Sequence, residues 1–249
     1  MKDENEYLVE WLSWHIKLGI QHFYIYDHNS KLPVNKFLNS YKQYLDKITI
    51  IQWNKQYEDA QVEAYNHCLN NYKLESRWIG FIDVDEQINL KNNNIFNLLK
   101  DYENFAGLFI IWVTYGANNQ IFKADGLLKD RFTKISTSSK NLDSIGKVIV
   151  QPLLMEKIII HNGLPVNGFD IVNENKQKIN NYSMVDFLPS KEKICLHHYY
   201  TKSYEEWLIK LKRGCAHSKY QRKYNEFFEV NPEMTYCKEE INLIQKYNK

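Results

Sequence analysis

Short apolar runs alternate with segments of helical periodicity through the first 113 residues, and this alternation does most to narrow the fold. Leu8, Trp11, Leu12, His15 and Ile16 recur at helical spacing within residues 4–18. Val34, Phe37, Leu38, Tyr41 and Leu45 do the same within 33–45, behind a Pro33 suited to a first turn. A third helix is predicted over 57–73 from Ala60, Ala64, Tyr65, Cys68 and Leu69, and a shorter one over IFNLLKDY. Between them HFYIYD (22–27), ITIIQW (48–53), WIGFIDVD (78–85) and GLFIIWV (107–113) read as buried strands. Strands separated by helices of this length make βαβ units, so the fold class is α/β: a Rossmann-like, mostly parallel central sheet flanked by helices. In such sheets ligands bind beyond the carboxyl ends of the strands. Three strands end in polar groups: Asp27, then Asp83 with Asp85, then Thr114-Tyr115-Gly116.

The second half is less regular. Gly116, Gly126, Gly146 and the polar stretch STSSKNLDS mark loops with short elements. KVIVQP (147–152) and KIIIH (157–161) read as strands, and 203–229 as a basic helix. No repeat or linker divides the chain, so residues 1–249 read as one domain. Hydrophobic residues make up 44% and charged residues 25%, as in soluble globular proteins. A net charge of +2 provides no field to gather nucleic acid. Cys68, Cys195, Cys215 and Cys237 lack CxxC spacing, which argues against structural zinc and a disulfide framework and for reduced thiols in a cytoplasmic setting. The acidic N-terminus has no apolar core of a secretory signal, and no apolar run reaches the ~18 residues of a membrane span. A basic helix is most often a solvated face; it also leaves open peripheral contact with anionic lipid.

The DVD stretch carries the chemistry. Residues i and i+2 of a strand share a face, so Asp83 and Asp85 are expected to aim at one point. Two carboxylates sharing a site need a cation between them, and a hard divalent ion bound by carboxylates and substrate phosphates meets that need. An ordinary acidic turn that closes a buried strand, with Glu86 capping the next segment, is the bland alternative. YIYDHNS (24–30) offers Asp27 to a base or ribose, or simply an Asp/Asn/Ser turn. In HHYYTKS (197–203) a neutral imidazole can complete a metal's shell, while Lys210, Lys212 and Arg213 follow as candidates to offset phosphate charge. Trp112 and Tyr115 of WVTYGANN offer aromatic faces for a sugar ring, although core packing is the commoner fate of such residues.

In order, KDENEYLVEWLSWHIKLGIQHFYIYDHNS, QVEAYNHCL, WIGFIDVDEQI, WVTYGANN, KVIVQP, a histidine at 161 and HHYYTKSYEEWLIKLKRG resemble the glycosyltransferase family 92 domain and its bacterial and viral relatives, over about residues 2 to 215. The resemblance implies a GT-A fold, with residues 1–105 forming the nucleotide-binding half and 106–249 the acceptor half. It also implies transfer of a hexose from a UDP-sugar, such as UDP-galactose or UDP-glucose, to a glycan hydroxyl with inversion. The cofactor would be Mn²⁺ or Mg²⁺. Glu4 would then lie beside the nucleotide, Asp27 on uracil or ribose, and Gln61 and Asn66 on the helix facing the nucleotide. Asp83, Asp85 and His198 would hold the metal, and Lys202 and Arg213 would lie near the diphosphate. Arg131 and Lys147 would position donor or acceptor. Replacing Asp85 with Ala is expected to abolish metal-dependent UDP binding and leave the fold intact. The residues single out no general base: Asp125 is the first choice, with Asp143 and Glu156 behind it. Relatives carry an apolar first strand before the Lys-Asp-Glu-like motif, whereas here Met1 alone precedes it, so either the chain is truncated or the edge of the nucleotide pocket is incomplete. Two other readings stay open: a nucleotide-sugar hydrolase or nucleotidyltransferase, and a non-catalytic glycan-binding module.

Overall fold

A computed structural model describes residues 1–54, 59–91, 94–138, 145–179, 190–215 and 221–237. Its centre is the strand β5 (Gly107–Thr114). Leu108 and Ile110 pack with Ile88, Ile149 and Leu196 on one face, while Phe109, Ile111 and Val113 pack with Phe81, Val148 and Val150 on the other. Cys68 and Leu69 of α3 (Ala60–Tyr72) cover the second face, and Ile95 and Leu99 of α4 (Ile95–Lys100) cover the first. Burial on both faces explains why this strand reads as an unbroken apolar run rather than an alternation.

Around it lie β3 (Ile79–Phe81), β4 (Glu86–Leu90), β6 (Gly146–Val150) and β10 (Ile194–His198), in the order β3-β6-β5-β10-β4, with β9 (Ile171–Val172) added to β5. The expected mostly parallel sheet is instead mixed. β5 runs parallel to β10 and β9, but β3–β6, β5–β6 and β4–β10 are antiparallel. A helix between two strands implies a parallel pair only when those strands become neighbours, and here β6 inserts between β3 and β5. Gly146 permits the close approach of β6 to β5, because a Cβ there would stand 2.0 Å from the Ile110 carbonyl oxygen.

The predicted strand over 78–85 ends at Phe81, and the DVD stretch lies in the turn between β3 and β4. The strand β4, which the sequence did not suggest, forms one sheet edge. The helix α1 (Asn5–Lys17) seals it: Trp11 and Trp14 donate their indole N–H groups to the carbonyls of Glu86 (2.9 Å) and Ile88 (2.7 Å). His15 Nε2 accepts from the Ile88 N–H at 3.2 Å, while its Nδ1 donates to the Trp11 carbonyl at 2.7 Å. These bonds replace a neighbouring strand along that edge.

A second, parallel pair, β1 (Phe23–Asp27) with β2 (Ile48–Gln52), packs Phe23 and Ile25 against Leu8 and Leu12 of α1 and Val34 and Leu38 of α2 (Val34–Leu38). The Met1 amino group donates to the Tyr26 carbonyl (2.6 Å) and the Met1 carbonyl accepts from the His28 N–H (2.8 Å), which is the bonding of a parallel bridge across Asp27. Among the described residues β1 pairs with β2 and β3 with β6, and a cavity of about 990 Å³ reaches the facing edges of β1 and β3. Elsewhere, α2 is one short turn of helix followed by a 3-10 segment at Lys42–Lys47. The long basic helix is divided into α6 (Tyr204–Arg213) and α7 (Asn225–Val230), because Gly214 takes φ 82° and ends α6. Completing the α and β elements, α5 (Leu128–Arg131) follows an exposed loop, and β7 (Met155–Ile158) pairs with β8 (Gly163–Pro165).

Candidate active site

The cavity's polar end is built on the turn Asp83–Glu86. Glu86 is fully buried, accepts the Asp83 N–H on its carboxylate at 2.8 Å and donates its own N–H to the Asp83 carbonyl at 3.1 Å. Burial, with the charges of Asp83 and Asp85 nearby, pushes its carboxyl up to about 8. The turn sends its two aspartates to different partners. Asp83 keeps 38% of its side-chain surface open and meets Lys147 Nζ at 2.9 Å, while Gln61 Nε2 donates to it at 2.7 Å and the Tyr65 hydroxyl at 3.4 Å. Asp85, 6% exposed, meets Lys210 Nζ at 2.7 Å and Lys202 Nζ at 3.4 Å, both on Oδ2. Loss of water works against ionisation of both carboxylates, but the lysines outweigh it and hold them below the usual range, Asp85 the further.

The cation side is equally built in. Lys202 has φ 56°, a conformation that costs a non-glycine residue strain, and it is held there by Asp85 and by the Tyr7 ring 4.6 Å away. Ser203 then caps α6 in a reciprocal bond pair with Glu206. Glu206 also accepts from the Tyr7 hydroxyl (2.7 Å) and from two nitrogens of Arg131 (2.5 and 3.0 Å). At the far end of α6, Arg213 meets Glu4 at 2.9 Å and donates to the Lys2 carbonyl at 3.1 Å. The first and last thirds of the chain thus close the same wall.

Several sequence candidates meet here: Glu4, Gln61, Asp83, Asp85, Trp112, Lys147, His198 and Arg213 all line the cavity. Others do not. Asp27 is buried, and its two oxygens accept the N–H groups of Ser30 (3.1 Å) and Val34 (2.9 Å), so it closes a turn and starts α2. Asn66 holds the backbone of Ile158 on β7 from both sides, at 2.7 and 2.9 Å. Tyr115 packs between His197 and Tyr199. Arg131 is the buried partner of Glu206, and Lys202 stands behind Asp85. Asp125 and Glu156 are exposed and off the cavity wall, and Asp143 lies outside the described residues. The sequence did not single out Tyr65, His161 or Arg222 as cavity residues, nor the pairing of Lys210 with Asp85. Tyr65 stands four residues from Gln61 on α3, a spacing that puts both on one helix face and was the available signal.

Among the described residues no three His, Cys, Asp or Glu side chains come together as a ready metal-binding group. One pair nevertheless fits a cation. Asp85 Oδ1, the oxygen the lysines leave free, faces His198 Nε2 across 3.9 Å. That is too far for a hydrogen bond and near enough for two ligands of one ion. His198 is buried, and burial pushes its imidazole down to about 3, so it is neutral and able to ligate. The carboxylate suits Mn²⁺ or Mg²⁺ in type, while the imidazole is a ligand of softer divalent ions. Asp83 is not brought to that point; Lys147 holds it aside.

Residues 2–234 match the family model for Glycosyltransferase family 92. A glycosyltransferase family 92 protein of Oryza sativa subsp. japonica is 27% identical over 103 residues, 41% of this chain and 17% of that protein. One from Ricinus communis is 31% identical over 84 residues, 34% of this chain and 14% of the relative. One from Arabidopsis thaliana is 33% identical over 82 residues, 32% and 14% respectively. The matched stretches therefore span less than a fifth of these plant relatives. Among the described residues no helix is long and apolar enough to cross a membrane.

Proposed function

The chain belongs to glycosyltransferase family 92, and from that premise we propose that it transfers a hexose from a UDP-sugar to a glycan hydroxyl, with inversion, on a GT-A type of nucleotide-binding scaffold. The observation that carries the reading is the cavity's charge pattern. Lys147, Lys210, Arg213 and Arg222 line the cavity together with Glu4, Asp83, Asp85 and His198. Cationic side chains outnumber carboxylates there, which suits a diphosphate better than a neutral ligand.

Asp85 and His198 would hold the divalent ion, whose contribution when bound is to neutralise charge on the leaving diphosphate. The chain's own residues do the rest. Lys210 keeps Asp85 ionised and in place, and Lys147 stands ready to exchange Asp83 for a phosphate oxygen. Gln61 and Tyr65 fix the Asp83 carboxylate from the α3 side. Trp112 lies at the inner wall with its ring 4.2 Å from that of His198, where a sugar face can lie against it.

Titration calorimetry of UDP with and without Mn²⁺ tests the reading. Binding that requires the ion and is lost on chelation is the expected result. Metal-independent binding would remove the ion from the scheme, and no binding of UDP would overturn the nucleotide-sugar assignment. Product analysis separates transfer, which yields UDP, from phosphate-bond cleavage, which yields UMP and sugar phosphate.

A further inference from the structure

An inverting transfer needs a proton acceptor beside the attacking hydroxyl. Among the described residues the carboxylates on the cavity wall are already engaged. Glu4 is paired with Arg213, Asp83 with Lys147, Asp85 with two lysines, and Glu103 with Arg77, while Glu75 accepts from the Tyr24 hydroxyl. Among the wall's histidines, His15 uses both ring nitrogens, His22 is bonded to Thr49, His198 faces Asp85, and His28 stands near Lys2 and the Met1 amino group with no bond among the described residues to fix its tautomer.

His161 differs from all of these. It stands in the β7–β8 turn, and its Nδ1 lies 3.0 Å from the Gly146 carbonyl. A carbonyl only accepts, so Nδ1 carries the proton and Nε2 keeps its lone pair. Among the described residues Nε2 has no hydrogen-bond partner, and the side chain lines the cavity. The ring is fixed on a second side by Trp112, which meets it edge to face with centroids 5.1 Å apart, and Trp112 in turn lies against His198 at 4.2 Å. His198, Trp112 and His161 thus form a row of three rings. On the transferase reading above, the diphosphate would lie toward the first ring and the sugar against the second.

We propose, resting on the transferase reading above, that His161 Nε2 is the general base. The acceptor hydroxyl oxygen forms the new bond to the anomeric carbon, and its proton passes to Nε2. The bond from the anomeric carbon to the phosphate oxygen breaks, its electron pair leaving with UDP, and the imidazolium then returns the proton to water. Burial pushes the His161 imidazole down to about 4, so it is neutral at pH 7, and of the charged groups facing it Lys147 opposes and Asp83 favours its protonation. The Gly146 carbonyl holds the tautomer in the way an orienting partner does in other His-based sites.

The test uses the full chain and the variants His161→Ala and His161→Gln. UDP affinity, read by calorimetry, is expected to stay within twofold of wild type. UDP release from UDP-galactose or UDP-glucose, with lactose or water as acceptor, is expected to fall roughly 100- to 10,000-fold through kcat. Added imidazole should restore part of the rate to His161→Ala and none to wild type. Independently of any donor, ¹⁵N NMR of wild-type protein should show His161 as the Nδ1–H tautomer. Undiminished turnover in both variants, or the Nε2–H tautomer, overturns the role of His161 while leaving the nucleotide reading in place. Wild-type protein that binds no UDP, or turns over neither donor, overturns both.

Discussion

The two aspartates of one turn, two residues apart, have become different kinds of site. Asp85 is sealed: two lysines reach one of its oxygens, the Tyr7 and Tyr200 rings lie under those lysines at 4.6 and 4.5 Å, and 6% of its side chain meets solvent. Asp83 is open: one lysine, one amide and one hydroxyl hold it, and 38% of its side chain is exposed. A DxD spacing does not by itself make two equivalent ligands. When the pair lies in a turn rather than on a strand, the side chains diverge, and the partners waiting on each side decide what each carboxylate does.

The largest effect is expected at Asp85. Asp85→Ala leaves two buried ammonium groups without their carboxylate, and the expected cost is about 3–5 kcal/mol, read by urea unfolding. A loss under ~1 kcal/mol would show that the sealed side is not a structural anchor.

The neighbouring Glu206 is the next lever. Burial opposes its charge, but the bonds from Arg131, Ser203 and Tyr7 prevail and bring the carboxyl down to about 2 from an ordinary 4.5. A depressed carboxyl stabilises above the unfolded-state value and loses that contribution as pH falls toward the folded-state value. About 3 kcal/mol should therefore disappear between pH 4.5 and 2. Acid denaturation followed by circular dichroism should show a shallower dependence in Glu206→Gln across that window.

Asp83→Ala should cost less stability, roughly 1–2 kcal/mol, because Lys147 keeps the Tyr65 hydroxyl at 3.3 Å. It should nonetheless alter UDP binding by tenfold or more, since Lys147 loses the partner that sets its position. Equal loss of stability at both aspartates would erase the distinction. Asn66→Ala is the smallest expected effect, about 1 kcal/mol from two bonds to the Ile158 backbone, with UDP affinity unchanged.

Local pattern carried much of this structure. The helix α3 and the strands β1, β2 and β5 were legible because periodicity and apolar runs are properties of contiguous residues, whereas the acidic stretch was read as the end of a strand and lies in a turn. The position of β6 between β3 and β5 was not, since strand pairing is decided by non-local contacts. The candidate residues divided along a similar line. Asp27, Asn66 and Arg131 are polar residues near the right elements, but each answers a structural demand: backbone amides at a turn, a strand edge, and the buried Glu206. Asp27 satisfied both a nucleotide motif and an Asp/Asn/Ser turn, and the turn prevailed because its own chain supplied the donors. His161 was noticed only as a position in an ordered set of motifs. Its chemistry depends on the carbonyl of Gly146, 15 residues away, which no spacing rule reveals.

The contacts of Glu4 with Arg213 and Tyr7 with Glu206 span 209 and 199 positions of sequence. On the ribosome, the amino-terminal residues of this wall must wait for α6 to emerge before they find their partners. A nascent chain halted before residue 204 would hold the acidic turn and β5 yet leave its future ligand end unfinished, with Asp85 lacking Lys210. Competence to bind should thus arrive late and abruptly during synthesis, as expected where decisive contacts are distant in sequence.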